Sequence, residues 1–166
     1  MKHATRLALV LSMIAAIVIV DQATKAAARV DLRLDVVHRV VGNILVFVRV
    51  ENNGAFLSLG STWNPAARRI VFSVLTGAMT VLLVLYLIRS SRATPLQTLA
   101  LAAVAGGGVS NIIDRIVRNG LVTDFLNVGI GNVRTGIFNL ADFFILTGVI
   151  MFVVTSLGGE GSRRRD

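Results

Sequence analysis

Asn111 and Asp114 stand three residues apart, and Asn139 and Asp142 repeat that spacing further along the chain. On a helix this interval puts both members of a pair on one face, so the two amide and carboxylate pairs could face each other. Two carboxylates held close cannot both ionise cheaply; one keeps a proton, and together they can act as base and acid towards one water. Neighbouring amides suit that chemistry, because they can hold a carbonyl oxygen or orient the acids. Spacing alone favours Asp114 with Asp142. Asp124 in a connecting segment and Asn52-Asn53-Gly54 in an earlier one are further candidates, each of which taken singly reads as a turn. Asp114 also has a plain structural reading, as a salt-bridged partner of Arg115 at a helix end. Asp142 resists such a reading, since it interrupts an apolar stretch with no cation beside it.

Composition removes several other chemistries. There is no cysteine, which excludes disulfides, thiolate metal sites and a cysteine nucleophile. His3 and His38 are the only histidines and have no ligand spacing, so no metal and no cofactor are expected. The net charge of +8 comes from arginines beside apolar runs rather than from one basic stripe, so nucleic acid is not an expected partner. With 54% hydrophobic and 16% charged residues among 166, the chain is too apolar for an ordinary soluble domain.

The elements that must position these side chains are therefore membrane spans, each needing about 20 apolar residues with the backbone bonded internally. Ile70 to Ile88 and Ala93 to Ile113 carry no charge, and the second opens on Thr94-Pro95, a cap followed by a first helical position. Ile137 to Leu157 is broken only by Asp142. Leu7 to Val20 is short and reaches spanning length only by taking in Asp21 and Lys25, which are four apart and can pair on one face. Its basic start and Ala26-Ala27-Ala28 also fit a cleavable leader, a reading that leaves three spans to explain. We expect a single membrane domain over 1–166 with spans near 7–27, 70–88, 93–113 and 137–157.

Four spans place both termini on one side with Arg89 and Arg92. Lys2, Arg6 and Arg163 to Arg165 add to its positive charge, which marks it as cytoplasmic, although Arg29 to Arg69 carries more arginine than the rule would put outside. Asp21, Asn111, Asp114, Arg115, Asn139, Asp142, Asp124 and Glu51-Asn52-Asn53-Gly54 then all gather at the outer face. Val36 to Val50, broken by Gly42-Asn43, reads as a hairpin, and the glycine-rich segment Arg115 to Gly136 as irregular or strand-like. Asn64-Pro65 beside Trp63 reads as the start of a short interfacial helix. Gly106-Gly107-Gly108 suits close helix contact. The expected fold is thus a mainly α membrane protein with four transmembrane helices, a small extracytoplasmic β-sheet and a short interfacial helix.

Five segments in order resemble the bacterial lipoprotein signal peptidases, or signal peptidase II. Asp21-Gln22-Ala23-Thr24-Lys25 is similar to that family's Asp-Gln-x-(Thr/Ser)-Lys motif, and Glu51 to Ala55 to its Asn-x-Gly-Ala segment. Gly106-Gly107 with Asn111-Ile112-Ile113-Asp114-Arg115 resembles its glycine-rich Asn-x-x-Asp-Arg motif. Val122-Thr123-Asp124-Phe125 and Phe138 to Asp142 resemble its two catalytic blocks. The resemblance implies an aspartyl endopeptidase of the bacterial inner membrane that cuts signal peptides from diacylglyceryl-modified prolipoproteins just before the lipidated cysteine. It assigns catalysis to Asp124 and Asp142, in place of the pairing favoured by spacing. Asn52, Gly54, Asn111, Arg115 and Asn139 would line the site, with Asp114 supporting it and Asp21 and Lys25 bracing it. Lipidated prolipoproteins and membrane lipids are the implied partners of a monomer. Two departures stand out: Gly54-Ala55-Phe56-Leu57-Ser58 shifts a phenylalanine, and Ser110 replaces a glycine. The competing readings are a small transporter with Asp142 and Arg115 on an ion path, and an inactive protein that only binds lipidated partners.

Overall fold

A computed structural model describes residues 3–53, 64–89 and 93–163. Four helices dominate: α1 (His3–Asp31), α2 (Pro65–Arg89), α3 (Pro95–Val117) and α4 (Leu140–Arg163). Each contains a stretch long and apolar enough to cross a bilayer. Strands β1 (Val37–Val41) and β2 (Leu45–Asn52) lie between α1 and α2, while β3 (Val122–Ile130) and β4 (Val133–Arg134) lie between α3 and α4. They form one antiparallel sheet in the order β1-β2-β3-β4. The expected hairpin turns at Gly42, whose φ of 51° lies in the left-handed region that glycine reaches without strain.

Several boundaries differ from the hydropathy reading, and the shifts in α3 and α4 move site residues. α1 runs unbroken through Ala26–Ala28 to Asp31, because Asp21 and Lys25 are paired inside the protein instead of facing lipid. α3 continues past Ile113 to Val117, so Asp114 and Arg115 belong to its last turns. α4 begins at Leu140, which leaves Ile137 to Asn139 outside it. Asn64-Pro65 opens α2 itself, with Asn64 Oδ1 accepting from the Ala66 amide at 2.8 Å. The short interfacial helix expected to start there is thus the first part of the spanning helix α2, while Trp63 and Gly54 lie outside the described residues.

The packing is that of a membrane protein, with large apolar side chains outward and small or polar ones inward. Ile70, Val74, Met79 and Leu82 of α2 and Leu146 and Val154 of α4 are exposed, whereas Thr98, Ser110, Asn111 and Asp114 of α3 are buried. Lipid tails solvate the outer faces as well as another helix would, so close backbone approach and interhelical hydrogen bonds hold the bundle. α3 is the central helix, and its three glycines divide the work. A side chain at Gly106 would meet Ile17 of α1, at Gly107 the Ala141 carbonyl oxygen and Ile145 of α4, and at Gly108 Thr80 of α2. Backbone cannot retreat as a flexible side chain can. Gly107→Ala is therefore expected to push α4 away and to destabilise the protein by about 1–3 kcal/mol. Gly77→Ala, with nothing within 4 Å, should leave the thermal unfolding temperature in detergent near the wild-type value.

Candidate active site

The site is built outward from a buried lysine. Lys25 and Asp21 are wholly buried and Asp114 is 2% exposed. Lys25 Nζ lies 2.7 Å from Asp21 Oδ2 and 3.0 Å from Asp114 Oδ2, and donates to Asn111 Oδ1 at 2.8 Å. A lysine has three donors and no acceptor, so these three oxygens use it fully. Asp21 is held further by Ser110 Oγ at 2.7 Å, and its other oxygen accepts from the Ala141 amide of α4 at 2.8 Å. One carboxylate thus ties α1 to α3 and to the start of α4. The serine that departs from the family pattern is part of this arrangement, since Ser110 Oγ also accepts from Gln22 Nε2 at 3.0 Å.

Two amides carry this order to two acids. Lys25 can only donate, so Asn111 must turn its oxygen towards the lysine and its nitrogen away; that nitrogen donates to Asp142 Oδ1 at 2.8 Å. Asn139 caps α4: its Oδ1 accepts from the Asp142 amide at 2.9 Å, and Asp142 Oδ2 accepts from the Asn139 amide at 3.3 Å. This reciprocal cap makes Asn139 present its Nδ2 to Asp124 Oδ1 at 2.6 Å, with Asn111 Oδ1 3.3 Å away. On β2, Asn52 Nδ2 donates to the other Asp124 oxygen at 2.8 Å. Asp124 and Asp142 are therefore each fixed by an amide, and the two amides touch.

The two Asn-x-x-Asp pairs play different parts. Asn111 and Asp114 lie on one face of α3, as their spacing suggests, but Asp114 faces Lys25, Gln22 Nε2 at 3.1 Å and the Thr123 amide at 3.3 Å. Asn139 precedes its helix, so its interval to Asp142 is a capping interval. The acid that shares the amide bridge with Asp142 is Asp124. Burial pushes the Asp124 carboxyl up to about 7 from the ordinary 3.8, and the Asp142 charge adds to the rise; Asn52, Asn139 and Lys25 oppose it. Such an acid can exchange a proton near neutral pH.

Arg115 Nη1 donates to the Asn111 carbonyl at 3.1 Å, and its buried Nε has no hydrogen-bond partner among the described residues. With Arg69, Ser73, Val74 and Gly120 it borders an open cavity of about 660 Å³ between α2 and α3. The sequence assigns no role to Gln22, Ser110 or Thr123: Gln22 and Thr123 belong to quoted segments and Ser110 stands out only as a departure, because their partners lie on other elements.

Two solved structures of bacterial membrane enzymes share this architecture. One superposes with a TM-score of 0.80 at 25% identity, covering 93% of this chain and 91% of its own. The second has a TM-score of 0.78 at 24% identity, covering 90% and 93%. The fold is thus that of a multi-pass membrane enzyme. The sequence model of signal peptidase (SPase) II matches residues 13–158. A lipoprotein signal peptidase of Bifidobacterium longum subsp. infantis is 33% identical over 98% of this chain and 85% of its own length. One of Caldicellulosiruptor bescii is 33% identical over 86% and 87%. The chain belongs to the signal peptidase II family, and it is a protease.

Proposed function

We propose that Asp124 and Asp142 are the catalytic pair of an aspartyl endopeptidase that removes the signal peptide from diacylglyceryl-modified prolipoproteins, cutting just before the lipidated cysteine. The observation that carries this reading is the bridge of Asn111 and Asn139, which holds the two carboxylates about one site beside the ends of α3 and α4. Between the two titration steps of the pair, one proton is shared by two acids that titrate as a unit. The ionised member takes a proton from water as its oxygen attacks the scissile carbonyl carbon, and the protonated member donates to the carbonyl oxygen. When the tetrahedral intermediate collapses, the acid that took the water proton passes it to the amide nitrogen, the other takes back the proton from the former carbonyl oxygen as C=O re-forms, the C–N bond breaks and the amine leaves. No bond to the enzyme forms.

The supporting roles follow from the contacts. Asn52, Asn111 and Asn139 set the acids; Asp21, Lys25 and Asp114 brace the amides. The resemblance to the family motif is what supports a part for Gly54. Lys2, Arg6, Arg163 to Arg165 and the acid-free turn from Arg89 to Arg92 support a placement in the bacterial inner membrane with both termini cytoplasmic and the site at the outer surface.

The test is cleavage by purified protein in lipid vesicles, with the cut mapped by mass spectrometry. A lipidated substrate should be cut immediately before its modified cysteine, and the same peptide without lipid should be cut poorly. Equal cleavage of both, or ion flux with no cleavage, contradicts the proposal.

Asn52 offers a finer check. Its amide stabilises the charged form of Asp124, so Asn52→Ala should raise the Asp124 pKa and move the alkaline limb of the cleavage profile upward by about one pH unit. A limb that stays in place or moves down would mean that Asn52 does not act on the acid.

A further inference from the structure

The sheet presents its two faces to different tasks. Asn52 and Asp124 lie on the face turned to the site, joined diagonally across β2 and β3. Their chain neighbours Glu51 and Thr123 are cross-strand partners, so the alternation of a strand sends both to the opposite face. There a single carboxylate gathers four elements.

Glu51 Oε1 accepts from Arg118 Nη2 at 3.0 Å, at the C-terminal cap of α3. The same oxygen accepts from Arg49 Nε at 3.2 Å and Nη2 at 3.0 Å. Arg49 in turn donates to the Arg29 carbonyl at 2.9 Å and the Leu32 carbonyl at 3.5 Å, at the end of α1. Glu51 Oε2 accepts from Thr123 Oγ1 at 3.2 Å on β3, and that hydroxyl accepts from Arg29 Nη1 at 3.3 Å. Thr123 is wholly buried, and its amide also donates to Asp114. The residues before Asn52 and before Asp124 are therefore fixed to each other and to the outer ends of α1 and α3.

We infer that Glu51 is a positioning residue for the acid at 124, locking β2 and β3 onto the helix ends so that the Asn52 amide meets that carboxylate. This rests on the catalytic reading above. Glu51 touches neither acid and acts through Thr123 and the backbone of β2. Without it Arg49 and Arg118 lose the anion between them, and like charge drives apart the elements it joined. A displacement of about 1 Å at a reacting group can cost on the order of 100-fold in rate.

The experiment is a double-mutant cycle on cleavage of a lipidated substrate, with Asp124→Asn as control and thermal melting in detergent to confirm folding. Glu51→Ala should lower kcat by about 10- to 100-fold with KM within about threefold. In an Asn52→Ala background the same change should cost less than about threefold, because the contact it aligns is already gone. Glu51→Gln keeps the volume and one acceptor, should show an intermediate loss, and is read by the same criteria if Glu51→Ala does not fold. Wild-type kcat for the Glu51 variants, or an equal loss with and without Asn52, overturns the inference while leaving the catalytic pair intact. Normal cleavage by Asp124→Asn overturns the catalytic pair, and the inference with it.

Discussion

Asp124→Asn should abolish cleavage while melting no lower than the wild type at pH 8. The amide matches the acid in size and can keep contact with the Asn139 and Asn52 side chains after local rotation, but it cannot exchange a proton. Loss of one member of an acid–base pair is expected to cost on the order of 1000-fold or more. The stability half of the result follows from linkage. The carboxyl titrates at about 7 in the folded protein and near 3.8 when exposed, so the folded state holds the proton more tightly. Stability contributed by this group is present at low pH and is lost as pH rises through the window between those values. At pH 8 the wild type carries that burden and the amide variant does not. Asp142→Asn should be equally inactive. A variant at either position that cleaves at a normal rate would remove that residue from the chemistry, and one that unfolds would make it structural.

The second large effect is expected at Lys25. Its ammonium sits 2.7 Å from one buried carboxylate and 3.0 Å from another, with no exposure to water. Breaking a buried ion pair leaves uncompensated charge, typically worth about 3–5 kcal/mol, and Lys25→Met would strand two such charges at once. The Asn111 amide would lose the donor that sets its orientation, so activity should fall with stability. Lys25→Met combined with Asp114→Asn should recover part of the stability, because one stranded charge is removed. Unfolding in detergent measures both variants; a single variant as stable as the wild type would show that the lysine is not holding the helices together.

The bilayer is what made the fold legible. Apolar length alone marks α2, α3 and α4, since backbone inside lipid has few alternatives to a helix. α1 was the difficult case, because Asp21 and Lys25 look expensive in lipid until Asp114, far along the chain, is seen to share the lysine. The site was legible in part. Asp142 stands out in an apolar run, whereas Asp124 resembles a turn residue until β3 pairs with β2, and strand pairing over such a distance leaves no local trace. A spacing of three cannot separate two neighbours on a helix face, such as Asn111 and Asp114, from a cap and its third residue, such as Asn139 and Asp142. That ambiguity led spacing to favour Asp114; the resemblance to signal peptidase II pointed to Asp124, and the two touching amides lie between Asp124 and Asp142. Glu51 reads in the sequence only as part of the Glu51-Asn52-Asn53-Gly54 segment, because its contacts with Arg118 and Thr123 lie on other elements.

The pH dependence of kcat/KM for a lipidated substrate tests the shared proton of Asp124 and Asp142 most directly. A bell is predicted, active while the pair holds one proton, with its alkaline limb near the value of about 7 at which Asp124 gives its proton up. A rate that stays level between about pH 5 and pH 9 would contradict the account, since an Asp124 proton given up at about 7 could not then be carrying the reaction.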